Sequence, residues 1–229
     1  MKAREPGLQF YVDKLGRNER FSFIRYGDGE WSCILQRLTR TGSGSQRFSP
    51  GLRKALEGSI SVKRSGAYYR AMNPGRIERC RFLPQVEAWL ASNAPGLDWH
   101  QCTIFYKASF RGQLFPIVKE LKRHRVVVVG PKWLEALPFA SEFVQVRSHN
   151  CWQDADAIFA QLRDLKDVVI AFSAGPTTKV LIHRLQPIIG KHSWLIDFGS
   201  VWDPYCGVRS RKYHNGLTPE KLRLNMSGK

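Results

Sequence analysis

The sequence contains no CxxC pair, no HxH or HExxH, no P-loop and no GxGxxG. The missing cysteine pairs exclude a zinc ribbon and a dithiol redox centre, and the histidines give no metal pattern. Without the two glycine-rich fingerprints, the kinase and dinucleotide-enzyme readings lose their support. The five cysteines, at 33, 80, 102, 151 and 206, are odd in number and scattered, so they read as reduced thiols without assigned chemistry. No apolar run is long enough to cross a bilayer, and the opening MKAREPGLQF has no apolar signal core. The expectation is a cytoplasmic protein, in the host cytoplasm if the chain is viral. Acidic residues are scarce, 19 against 36 Lys and Arg, for a net charge of +17. That excess favours a polyanionic partner, nucleic acid first and an anionic membrane surface second.

Hydrophobic residues make up 43% of the 229, enough for a real core and too many for disorder. The clearest strand is Val126–Val129, ending at Gly130-Pro131-Lys132; four β-branched residues in a row suit a strand buried on both faces. Residues 168–172, ending at Ser173-Ala174-Gly175-Pro176, and 194–199 repeat the pattern. Thr103–Tyr106 and Phe143–Val146 are further expected strands. Helical spacing appears over 154–165, 177–185, 86–90 and 114–121. Strand, glycine turn, helix, strand is the grammar of an α/β protein with a mainly parallel sheet. One domain is expected over residues 1–208, with a basic insertion around 36–70 and the linker-like Thr41–Ser45. A basic, loosely packed tail is expected over 209–229.

The segment most informative about chemistry is FSFIRYGDGEW, residues 21–31. An apolar strand stops at Tyr26-Gly27, and Asp28 and Glu30 follow with Gly29 between them. Two glycines free the chain to turn sharply there, and carboxylates two residues apart, spaced as along an extended strand, can then point the same way and share one divalent cation. Arg25 beside them suits a phosphate-bearing substrate. Strand-end turns of one parallel sheet lie on one rim, so the turns at 27–30, 130–132, 173–177 and 197–200 would converge. Gly175-Pro176-Thr177 opens a helix, a favourable seat for phosphate. Asp197 ends an apolar strand and needs a partner. Asp203, between Trp202 and Tyr205, is a candidate general base, or a turn-initiating Asp before Pro.

These residues resemble the GT-D fold glycosyltransferases. Ile24-Arg25-Tyr26-Gly27-Asp28-Gly29-Glu30 is similar to that family's N-terminal signature, whose DxE element takes the place of DxD. The turns at 126–132, 172–176 and 195–203 are similar in order and spacing, so the resemblance covers about residues 20–207. It implies a Rossmann-like domain binding a nucleotide sugar, commonly a uridine diphosphate sugar, with Mn2+ or Mg2+. Asp28 and Glu30 would hold the metal. Arg25 would face the diphosphate, with Tyr26, Gly27, Gly130, Lys132, Ser173, Gly175, Thr177 and Asp197 around the nucleotide. The positive charge over 37–70 departs from the family pattern.

That charge suggests the acceptor. The expectation is a 5-hydroxymethylpyrimidine base in duplex DNA, as in a modified bacteriophage genome, flipped out for transfer. Arg37, Arg40, Arg47, Lys63, Arg64, Arg70, Arg209, Arg211 and Lys212 are the expected phosphate contacts. A glycosyltransferase of a bacterial envelope glycan or glycoprotein is the alternative. An inactive nucleic-acid-binding module is a third reading, against which the intact Asp28 and Glu30 stand.

Overall fold

Val126–Val129 present no polar side chain to either face, and they lie fully buried in an inner strand of a seven-stranded sheet, one place in from its edge. The computed structural model describes residues 3–37, 46–62, 67–79 and 81–229. In chain order its helices and strands begin with α1 (Gly7–Gly16), β1 (Ser22–Tyr26), α2 (Asp28–Ile34), α3 (Pro50–Ser61), β2 (Tyr68–Met72), α4 (Pro74–Arg79), α5 (Leu83–Asn93) and β3 (Trp99–Gln101). They continue with α6 (Ile104–Phe110), α7 (Phe115–Leu121), β4 (Val126–Gly130), β5 (Glu142–Gln145), α8 (Ala155–Leu162), β6 (Val169–Phe172), α9 (Thr177–Ile189), β7 (Trp194–Asp197) and α10 (Pro219–Ser227). The strand order is β3-β2-β1-β7-β6-β4-β5, and every pairing is parallel.

Side chains alternate across the sheet into two cores. Ile24, Tyr26, Val127, Val129, Ile170, Phe172 and Leu195 meet apolar residues of α2, α3, α5, α8 and α9 on one face. Phe23, Val126, Val128, Val169, Ala171, Trp194 and Ile196 meet α1, α6 and α7 on the other. Helices on both faces of a parallel sheet in one domain are the α/β architecture expected from the sequence.

Two local expectations are corrected. Residues 104–106 are not a strand but the first turn of α6, and the strand is the preceding Trp99–Gln101. Ile104, Phe105 and Ala108 bury one helical face, a period that a four-residue window cannot separate from a strand. The C-terminal segment is not loosely packed. The Asn225 side chain is fully buried; it accepts from the Leu114 amide at 2.7 Å, at the start of α7, and donates to the Ser109 carbonyl at 2.8 Å. His214 and Leu217 are buried as well. The Thr41–Ser45 stretch and Cys80 lie outside the described residues. Cys33, Cys102, Cys151 and Cys206 are free thiols, each pushed by burial up to about 11, so they remain protonated.

Candidate active site

All strand carboxyl ends share one rim. From β4 the chain moves outward to β5, whereas from β6 it moves the other way to β7. Adjacent strands whose connections part in this way open a crevice between their ends. A cavity of about 290 Å³ lies there, walled by Pro131 and Trp133 after β4 and by Ser173 to Pro176 after β6. Arg147 and His149 after β5, Gly199 and Asp203 after β7, and Arg211 complete the wall. The positive end of the α9 dipole is at this wall, a favourable position for an anion. The Ser173 hydroxyl is buried with no hydrogen-bond partner among the described residues.

Asp203 is 4% exposed. Its carboxylate accepts from Trp133 Nε1 at 3.0 Å and from the Ser210 hydroxyl. Burial raises its pKa above the usual aspartate value, while those two hydrogen bonds oppose the shift. A buried carboxylate that lines the cavity and is partly freed of its acidity has the properties of a general base.

The Asp28 and Glu30 corner stands one strand further on, behind the cavity wall. Helix α2 begins at Asp28, so the chain is helical where the sequence reading assumed an extended turn. Residues two apart on a helix of about 3.6 residues per turn point about 200° apart. Asp28 faces outward, 3.1 Å from Arg76. Glu30 turns inward and caps its own helix, accepting from the Gly27 amide at 2.8 Å. Its other oxygen lies 3.1 Å from Lys179 Nζ, and the same ammonium lies 3.0 Å from Asp197. Burial works against these charges, but mutual attraction wins. Glu30 is held below the usual glutamate value by Lys179 and the Gly27 amide, and Lys179 is raised by Asp197 and Glu30. Asp28 and Glu30, diverging and separately paired, do not fit a metal held jointly by the two.

Asp197 has the partners its strand-end position demands: Lys179, the Arg25 amide at 3.2 Å and the Gly199 amide at 3.0 Å. Arg25 donates to the Phe198 carbonyl at 2.7 Å. Gly199 has φ +59°, an angle that favours glycine, and a Cβ there would push against the Arg25 guanidinium.

The remaining expected residues divide clearly. Ser173 and Gly175 line the cavity, and Thr177 is buried at the start of α9 beside Cys151. Gly130 lets Leu134 close over the end of β4, where a Cβ would meet Leu134 at 2.6 Å. Lys132 is exposed and paired with Glu135 at 2.5 Å. Tyr26 is core, with its hydroxyl 2.9 Å from that of Ser59. Among the expected phosphate contacts, Arg37, Arg47 and Lys212 are exposed and Arg211 is at the cavity. Arg70 is instead 5% exposed and bound to the Val62 carbonyl. Arg209 holds the carbonyls of His214 and Leu217. Arg40, Lys63 and Arg64 lie outside the described residues. Sequence reasoning missed Lys179, Trp133 and Arg147. No local signal marked Lys179, because α9 also carries His183, Arg184 and Gln186 on a partly exposed face.

No protein-family model matches this chain, and no curated protein does. Solved structures do. A glycosyltransferase of the domain of unknown function 1792 from Streptococcus sanguinis superposes with a TM-score of 0.66 at 18% identity, over 92% of this chain and 87% of the other. A second structure, described as showing that this highly conserved domain has a distinct glycosyltransferase fold, gives 0.62 at 18% identity, over 89% and 80%. A selenomethionine-substituted structure of the same domain gives 0.66 at 18%, again over 89% and 80%. The chain therefore has a glycosyltransferase fold of the GT-D type, as its sequence motifs led us to expect.

Proposed function

We propose that this protein is a glycosyltransferase that moves a sugar from a nucleotide sugar, a uridine diphosphate sugar being the first candidate, to an acceptor hydroxyl. The observation that carries the reading is the crevice between β4 and β6, which combines a helix N-terminus, Arg147 and Arg211 with the buried carboxylate of Asp203. The first three attract a diphosphate, and the last can take a proton.

In the reaction the bond from the anomeric carbon to the diphosphate oxygen breaks, and its electron pair leaves with the diphosphate. The acceptor oxygen bonds to the anomeric carbon, and its proton passes to Asp203. Arg147, Arg211 and the α9 dipole counter the charge that grows on the leaving oxygen.

For the acceptor, the proposal is a hydroxymethylated pyrimidine in duplex DNA, and it rests on the net charge of +17. Exposed Arg37, Arg47 and Lys212 remain available as phosphate contacts. The test is incubation with a panel of uridine diphosphate sugars and either hydroxymethylated or unmodified duplex, followed by digestion and mass analysis of the nucleosides. A sugar-sized gain on the hydroxymethylated base alone supports the whole proposal. Donor hydrolysis without transfer to DNA keeps the glycosyltransferase and rejects the DNA acceptor. Absence of both transfer and hydrolysis with every donor rejects the enzyme.

A further inference from the structure

Glu30, Lys179 and Asp197 close on one another where α2, α9 and β7 meet. The Lys179 ammonium lies 3.1 Å from Glu30 Oε1, 3.0 Å from Asp197 Oδ2 and 3.0 Å from the Gly175 carbonyl oxygen. An ammonium has three protons, so these contacts use all of them. The two carboxylates thus converge on a point, as ligands of a shared ion do, and the lysine nitrogen occupies that point. The charges also balance. Glu30 and Asp197 face Lys179 and the neighbouring Arg25, two negative against two positive. A divalent cation added here would leave two positive charges uncompensated at a site where Lys179 is only 5% exposed and Asp197 1%. Asp28, the other half of the acidic motif, is turned away on Arg76. Among the described residues, no group of three or more His, Cys, Asp or Glu is placed to hold a metal.

We infer that the Lys179 ammonium takes the place of a divalent cation in this corner, so that the acidic motif holds a lysine and the nucleotide's diphosphate binds without a metal bridge. Lys179 acts as a positioning residue. It grips the Gly175 carbonyl directly and the Gly199 amide through Asp197, and both glycines belong to turns that line the cavity. The inference takes its ligand from the nucleotide-sugar reading, but its first test does not depend on that reading.

In that test, Mn2+ is titrated into the full chain without nucleotide and followed by electron paramagnetic resonance. The wild type is expected to leave the free-ion signal undiminished, or to bind only Mn2+ that survives Glu30→Gln. Lys179→Met opens the point between the two carboxylates and is expected to gain a bound ion, which Lys179→Met combined with Glu30→Gln loses. A wild-type site abolished by Glu30→Gln overturns the inference, and this arm decides it even where the Met variant does not fold. The second test measures uridine diphosphate affinity by calorimetry in chelator and in Mn2+. The two values are expected to agree within about threefold, whereas a loss of about tenfold or more in chelator overturns the metal-free diphosphate. If the nucleotide binds under neither condition, the nucleotide-sugar reading fails, and the resonance titration still decides what the corner holds.

Discussion

Lys179 is buried between two carboxylates, so removing it leaves uncompensated charge. Lys179→Met is expected to lose about 3–5 kcal/mol of stability, read from urea unfolding at neutral pH. The same cluster sets a pH window. The depressed folded pKa of Glu30 gives stability that is present above its ordinary 4.5 and lost as pH falls through the lowered value. The raised pKa of Lys179 gives stability that is present below its ordinary 10.5 and lost as pH rises through the folded value. Lys179→Met therefore narrows its deficit towards both extremes. Asp203 behaves differently, because burial raises it. As a base it must be ionised, so the acid limb of kcat/KM is expected above the pH of an ordinary aspartate. Asp203→Asn is expected to remove that limb and to slow turnover by about 10²- to 10⁴-fold. Asp28 and Glu30 were legible in the sequence because acidic residues are unusual at a strand end. Lys179 was not, because the partners that bury it come from residues far away in the chain.

Elements were legible where both faces are apolar. β4, β6 and β7 stand out as runs of Val, Ile, Leu and Phe, since a central parallel strand has no side to leave polar. β2 and β3 did not stand out. Tyr68-Tyr69-Arg70 and Trp99-His100-Gln101 mix polar and aromatic residues, and only the pairing of β2 with β1 and of β3 with β2 makes them strands. Helix α2 was misread for a related reason: Gly27 and Gly29 suggest a turn, while the capping of Gly27 by Glu30 starts a helix. The C-terminal helix was hidden by its charge. Yet α10 supplies Asn225, whose oxygen satisfies an amide at the start of α7. Asn225→Ala leaves the buried Leu114 amide without a partner, while the Ser109 carbonyl keeps its bond from the Gly112 amide. One unsatisfied buried amide costs about 1–3 kcal/mol, and a lowered midpoint in thermal unfolding is the expected reading.

At the scale of the whole molecule, composition spoke to class and much less to contacts. The net charge of +17 is certain from the sequence, but charge alone does not say which cations face outward. Arg70 and Arg209 bind backbone carbonyls within the fold, whereas Arg37, Arg47 and Lys212 are exposed. If duplex DNA is the acceptor, reversing those three charges together removes three phosphate contacts. The slope of log affinity against log salt is then expected to become shallower by about 2.7, measured by fluorescence anisotropy. An unchanged slope would place the polyanion elsewhere or dismiss it.

One ammonium fastens the turns after β6 and β7 to α2, which ties both turns to a common support behind the cavity wall. On the proposed function, adaptation to donors of different size or charge then falls to the walls that carry Arg147 and Arg211. If the protein transfers a sugar as proposed, grafting those two loops from a glycosyltransferase of this fold is the natural way to retarget the donor while the foundation stays intact.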